Sequence, residues 1–262
     1  MPLLELRHLS KTFVRRGAAP FRAVNDVSLT VERGECVALV GESGSGKSTL
    51  ARLALRLTDA DAGGEILLDG AYLHTLSGNA LRRARMKMQP VFQDASTTFN
   101  PRRTVRAILR QAAVGDASEE HIRALLERVE LRPAAMFLPR YPSELSGGQR
   151  QRLSIARALA TEPAIIIADE PLSGADVSIR AQILDLLADL QAQSGVSYLL
   201  ITHDILLARA FSHRIAVMHQ GSIVEHGETQ AVLRAPTHVY TRRLLDAVQS
   251  VDGPIGETAG AA

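Results

Sequence analysis

The sequence holds one cysteine, Cys36, in 262 residues, so neither an internal disulfide framework nor a multi-cysteine metal site can be built from it. A reducing, cytoplasmic setting is the simplest expectation. No apolar run approaches the ~18 residues that a bilayer-spanning helix requires. Attachment to a membrane is therefore expected to go through a partner. The opening Met1-Pro2-Leu3-Leu4-Glu5 lacks the basic segment and long apolar stretch of a secretory signal. Charge of one sign is also scarce. A net charge of +2 gives no footing for nucleic-acid binding, and the cluster Arg82-Arg83-Ala84-Arg85-Met86-Lys87 reads as a solvated helix face.

The material for a core is present. Apolar residues make up 46% and charged residues 22%, ordinary usage for a globular chain long enough for one large α/β domain. Val27, Leu29 and Val31 alternate with Ser28, Thr30 and Glu32, the period of a half-buried strand. Cys36 to Val40, Ala164 to Ala168 and Ser197 to Ile201 are short continuous apolar runs, the length of buried strands. Leu50, Leu53, Ala54 and Leu57 recur at helical spacing, as do Ile179, Ile183, Leu186, Leu187 and Leu190. The alternation implies a largely parallel sheet. Between about Ala95 and Glu162 the pattern is helical without a clear strand, which reads as an inserted lobe. The expected division is a core of 1–94 and 162–234, a helical subdomain of 95–161, and a C-terminal part of 235–262. That last part holds a short helix from about Tyr240 to Val248 and a disordered tail from Asp252.

Three segments carry chemistry. Gly41-Glu42-Ser43-Gly44-Ser45-Gly46-Lys47-Ser48 fits G-x-x-x-x-G-K-[ST] in full, after an apolar strand and ahead of a helix. Its glycines let backbone amides turn toward phosphates, and the helix start adds partial positive charge. Gly41, Ser43, Gly44, Ser45, Gly46 and Thr49 would frame the nucleotide, while Lys47 reaches the β- and γ-phosphates and Ser48 ligates Mg²⁺. Ile165 to Ala168 is an apolar strand ending in Asp169-Glu170, two acids where a metal ligand and a water-activating base would stand. Leu145-Ser146-Gly147-Gly148-Gln149 then precedes the helical run Arg150 to Ala160, a second helix start suited to an anion. Two such starts in one chain are redundant unless both meet one nucleotide across a dimer.

Together these segments resemble the ATP-binding-cassette family, over nearly the whole chain. The resemblance implies the fold of phosphate-loop NTPases, a RecA-like core with a mostly parallel sheet, an N-terminal antiparallel β segment and an inserted helical subdomain. It implies ATP and Mg²⁺, with Phe13 stacking on adenine, Asp169 holding the metal, Glu170 polarising water and His203 touching the γ-phosphate. Gln93 would touch Mg²⁺ and sense the transporter subunit. Ser146, Gly147, Gly148 and Gln149, with Asp176, would complete the site of a partner cassette. Phe92-Gln93-Asp94 with Phe99-Asn100-Pro101-Arg102, Tyr141-Pro142-Ser143-Glu144, and His238-Val239-Tyr240-Thr241 are similar to the peptide and nickel importers. The implied partners are a second cassette, identical or related, two transmembrane permeases and, indirectly, a solute-binding protein. The place implied is the cytoplasmic face of the inner membrane. A single-cassette ATPase of a non-transport assembly, such as phosphonate breakdown, shares the ATP motifs, and the Asn100-Pro101-Arg102 segment speaks against it.

The sequence departs from that family at Ser173-Gly174-Ala175-Asp176, where Ser-Ala-Leu-Asp is usual. A leucine's bulk is lost and a flexible glycine gained, so the contact between cassettes is expected to be looser. Gly174→Ala with Ala175→Leu should therefore tighten pairing and alter turnover modestly. Unchanged dimer affinity and ATPase activity in that double variant would dispose of the idea.

Overall fold

The computed structural model describes residues 1–14, 17, 19–93, 98–173 and 176–252, apart from the side chains of 177 and 248–252. Gly174 and Ala175 lie outside the described residues, as do 253–262 of the tail expected to be disordered from Asp252, while Asp252 itself ends the last helix.

The chain opens with an antiparallel layer. Strands β1 (Leu4–Phe13) and β2 (Phe21–Val31) form a long pair, and β1 also pairs with β4 (Glu65–Leu68), which continues into β5 (Ala71–Tyr72). The second sheet contains β3 (Cys36–Val40), β6 (Met88–Phe92), β7 (Ile165–Asp169), β8 (Ser197–Thr202), β9 (Arg214–His219) and β10 (Ser222–Glu228). Its order among the described residues is β10-β9-β3-β8-β7-β6, parallel except for the β9–β10 hairpin. The mostly parallel sheet and the antiparallel N-terminal segment match the expectation. Strands β1, β4, β6, β9 and β10 carry no strict alternation and are supplied by pairing. Pro90 is admitted in β6 because that strand lies at the edge of the sheet.

The central strands are buried on both faces, which is why they read as continuous apolar runs. Successive side chains leave on opposite faces. Ile165 and Ile167 join Val37, Leu39, Leu199 and Ile201 in the core beneath β1 and α1 (Lys47–Ala54). Ile166 and Ala168 join Cys36, Tyr198 and Leu200 in the core on the other face. That second core also takes Ile183, Leu186, Leu187 and Leu190 from α7 (Val177–Ser194), whose end is marked by Gly195 at φ 66°.

The inserted helices are α3 (Val105–Ala112), α4 (Glu119–Arg128), α5 (Ala134–Phe137) and α6 (Gly147–Leu159), preceded in the chain by α2 (Gly78–Met86). Their apolar residues Ile108, Leu109, Ile122, Leu126 and Leu153 share one buried cluster with Ile166 and Leu200, so the lobe is continuous with one face of the sheet. The rest of the chain forms α8 (Ile205–Phe211), α9 (Thr229–Arg234) and α10 (Val239–Asp252). The last helix is longer at both ends than the sequence reading of 240–248.

Two local readings need correction. The helix after the phosphate loop stops at Ala54, and Leu57, assigned to its buried stripe, is 53% exposed. Arg56 adopts φ 55° there, which no helix continues through. Arg82 and Arg83 are exposed as expected, but Arg85 turns inward and donates from Nε to the Leu55 carbonyl at 3.2 Å and from a terminal nitrogen to that of Arg56. It thus satisfies carbonyls that the end of α1 leaves unpaired.

The two kinds of leucine-like position should separate in stability measurements. Ile167→Ala empties a fully buried site and should cost about 2–5 kcal/mol in denaturant unfolding. Leu57→Ser should change stability by less than about 0.5 kcal/mol. A large loss from the Leu57 change would restore it to the core.

Candidate functional site

Parallel register brings the chemistry to one edge. Val40 pairs with Thr202, Asp169 with Ile201, and Phe92 with Asp169, so the carboxyl ends of β3, β8, β7 and β6 finish almost level. The residues that follow these ends are Gly41, His203, Glu170 and Gln93. Open α/β sheets bind ligands in the crevice at this edge. An open cleft of about 1310 Å³ lies there, lined by Gly41, Glu42, Ser43, Gly44, Gly46, Lys47, Ser48 and Thr49, and by Gln93, Glu170 and His203.

The phosphate loop is pressed against two strand ends. A Cβ on Gly41 would lie 2.2 Å from the Met218 carbonyl oxygen, and one on Gly46, which has φ 109°, 2.2 Å from that of Ala23. Only glycine permits both approaches. The Gly221 amide further donates to the Ser45 carbonyl at 2.9 Å. Lys47 is buried, and its ammonium donates to the carbonyls of Gly41 at 2.7 Å and Glu42 at 2.9 Å. Burial pulls its pKa down, while the negative charges of Glu170, Asp169 and Glu42 work in the other direction. A cation held this way, at the start of α1, is matched to an anionic ligand. Among the described residues the buried Ser45 hydroxyl has no hydrogen-bond partner, a polar atom that a phosphate oxygen would satisfy.

The acids sit beside it. Ser48 Oγ donates to Asp169 Oδ1 at 3.1 Å. Burial raises the Asp169 pKa, with the Glu170 charge adding to it and the Ser48 hydrogen bond, Arg52 and Lys47 opposing. A buried carboxylate next to a hydroxyl is a pair of hard oxygen donors, and Mg²⁺ is commonly held by one or two such groups plus substrate phosphates. The residues present therefore fit both a polyphosphate and Mg²⁺. Glu170 takes φ 52°, a left-handed conformation that costs a non-glycine residue about 1–3 kcal/mol. Its amide donates to the Ile201 carbonyl at 2.9 Å, and both carboxylate oxygens lie 2.9 Å from His203 Nδ1. The acid is thereby aimed into the cleft with its imidazole partner. Gln93 Nε2 donates to Ser173 Oγ at 3.1 Å, tying the end of β6 to the segment after β7.

Other expected residues stand apart. Phe13 ends β1 directly across from Phe21, and it is Phe21, with Ala23, that lines the cleft. Lys11 Nζ lies 5.7 Å from the Phe13 ring centroid. Ser146 to Gln149 and Asp176 are not among the cleft-lining residues. Ser146 caps α6, accepting from the Gln149 amide at 3.2 Å, while Gln149 Oε1 accepts from the Ser146 amide at 3.0 Å. Gly148 packs on Ile179, to which a Cβ would come within 3.3 Å. Asp176 caps α7 through the Ile179 amide at 2.8 Å.

Sequence reasoning missed Phe21, Arg180, Asp204, Leu206 and Leu244, all on the cleft wall. Asp204 pairs with Arg180 at 3.5 Å and caps α8 through the Leu206 and Leu207 amides at 2.9 and 3.1 Å. Its place immediately after His203 was the available signal. Leu244 comes from the last helix, and nothing local in the sequence pointed to it.

Residues 24–173 match the family described as ABC transporter. The glutathione import ATP-binding protein GsiA of Salmonella typhimurium is 45% identical over 96% of this chain, which spans 42% of that relative's length. A putative peptide import ATP-binding protein of Brucella abortus is 44% identical over 96% of this chain and 80% of its own. Among solved structures, the dimeric cassette MJ0796 bound to ADP and Pi superposes with a TM-score of 0.75 at 31% identity, over 86% of this chain and 98% of that one. The cassette cbiO1 from Clostridium perfringens gives 0.77 at 25% identity, over 95% of each chain. With the family match across the phosphate loop and both acids, and relatives this similar over almost its full length, the chain belongs to the ABC transporter family of ATP-binding cassettes.

Proposed function

We propose that the chain hydrolyses ATP to drive an importer of peptides or peptide-like solutes, on the cytoplasmic face of the membrane. The observation that carries this reading is the gathering of Lys47, Ser48, Gln93, Glu170 and His203 around one cleft. The solute class is supported by the names of the relatives, glutathione import and peptide import. No described helix is long and apolar enough to cross a membrane. Likeness to the importers assigns the spanning role to separate permeases, with a solute-binding protein as an indirect partner.

In this reading Lys47 and the loop amides hold the phosphates, with Phe13 or its neighbour Phe21 against the base. Ser48, Asp169 and Gln93 would hold Mg²⁺, which supplies charge neutralisation at the phosphate oxygens. Glu170 takes the proton of the attacking water as its oxygen bonds to the γ-phosphorus and the bond to the β-phosphate oxygen breaks. His203, held on the Glu170 carboxylate, would meet the γ-phosphate from the cleft wall. The exposed Ser146 and Gly147 at the start of α6 would meet the nucleotide of a second cassette, a pairing consistent with the dimeric MJ0796 structure. A hollow of about 440 Å³ in the lobe, lined by Phe99, Asn100, Arg103 and Arg157, is offered as the permease contact. Arg157 stiffens its wall, its guanidinium 4.9 Å from the Phe99 ring centroid and donating to the Thr98 carbonyl at 2.9 Å.

Glu170→Gln should keep ATP affinity within about twofold and lower turnover at least ~100-fold, the usual worth of a positioned base. Near-normal hydrolysis in a single-turnover assay would remove Glu170 from this role. Ser146→Ala should cost about 1 kcal/mol of stability through the lost cap. It should lower steady-state turnover while leaving ATP binding by the isolated chain unchanged. A drop in the isolated chain's own ATP affinity would contradict action on a partner's nucleotide.

A further inference from the structure

The phosphate loop is gripped from outside by the last helix. Glu42 donates its amide to the Tyr240 hydroxyl at 3.0 Å. The carbonyl of the same peptide unit, that of Gly41, accepts from Lys47 Nζ at 2.7 Å. Lys47 and Tyr240 thus hold opposite edges of one peptide plane. That plane needs a clamp, because Gly41 has no side chain to restrict rotation about its own bonds. Drawing Lys47 toward phosphates weakens its hold on the Gly41 carbonyl, whereas the Tyr240 hold is independent of that movement.

Tyr240 is itself rigidly seated. Its ring is buried and stacks on His219, centroids 3.8 Å apart and planes 28° from parallel. It packs in a cluster with Val40, Ile215, Val217 and Val232. The start of its helix is pinned by Glu225 of β10, whose carboxylate accepts from the Thr237 amide at 2.7 Å, the Thr237 hydroxyl at 2.9 Å and the His238 amide at 3.1 Å. Burial would raise the Glu225 pKa, but the Thr237 and His238 amides and the Thr237 hydroxyl work against it, and it is held down at about 2. The carboxylate is therefore charged under all ordinary conditions. Its position at a helix start is also favoured by the helix dipole.

We propose that Tyr240 is a positioning residue of the ATP site, fixing the Gly41–Glu42 peptide so that the phosphate loop and Lys47 are preformed for a triphosphate. Through Glu225, the docking of the last helix then sets nucleotide affinity. This inference rests on the reading of the cleft as an ATP site.

The test is equilibrium titration of the full chain with ATP, beside steady-state kinetics. Tyr240→Phe keeps the ring and its stacking and removes only the acceptor. It should weaken ATP binding roughly fivefold, about what one hydrogen bond is worth, and raise KM more than it lowers kcat, with Tm lowered by no more than about 2–4 °C. Glu225→Gln should act in the same direction, and the double variant should be no weaker than Tyr240→Phe alone, because both act through one contact. Wild-type ATP affinity in Tyr240→Phe would overturn the proposal, and so would losses that add in the double variant. A parent chain that binds no ATP would overturn the nucleotide reading itself and this inference with it.

Discussion

The parallel register of β3, β8, β7 and β6 is the constraint on which the site depends. A shift of two residues in any one pairing would keep every side chain on its proper face and still move its strand end by about 6–7 Å. Lys47, Asp169, Glu170, His203 and Gln93 would then no longer meet. The register is held by the packing of alternate faces, with Ile165 and Ile167 on one core and Ile166 and Ala168 on the other. It is also held at the strand ends, where the Glu170 amide donates to the Ile201 carbonyl and the Tyr198 amide to the Glu35 carbonyl. Core and cleft edge are thus one structure: the residues that exclude water from the sheet also fix the distances in the cleft.

Within that frame the site stores local strain and balances charge. Glu170 occupies a left-handed backbone conformation, and the hydrogen bond of its amide to β8 offsets part of the cost. The turn points its carboxylate at His203 and not along the strand. Asp169, one residue earlier and still within β7, points the other way, toward Ser48. Two adjacent acids therefore acquire separate surroundings. One is buried beside a hydroxyl at the phosphate loop, and the other is paired with an imidazole across the cleft.

The sequence revealed the parts that depend on local chemistry. The phosphate loop, Asp169-Glu170 and the start of α6 declare themselves because each needs particular residue types at fixed spacing. Buried strands were visible as apolar runs. What stayed hidden depends on distant pairing. Strand β6 contains Pro90 and becomes a strand only because Met88 to Phe92 lies against β7. Leu57 kept the helical spacing, yet the chain turns at Arg56, and Arg85, 29 residues away, fastens that turn. Phe21 faces the cleft because it stands across the hairpin from Phe13, a relation that no local pattern encodes.

The start of α6 has a physical logic of its own. A helix start leaves amides without intrahelical partners. In α6 the reciprocal cap between Ser146 and Gln149 satisfies the amides of those two residues. The Gly147 and Gly148 amides, lying between them, have no partner within the helix. A Cβ on Gly147 would meet nothing within 4 Å, while Gly148 is seated on Ile179 of the helix that Asp176 caps. The cap thus rigidifies the start without filling it, and the glycines keep it open to a large anion. The cleft of the same chain does not include this surface. In the proposed pairing, this rigid, open, dipole-bearing helix start is where an anion brought by another subunit would dock. Through its packing on Ile179, Gly148 ties that helix start to the helix that Asp176 caps.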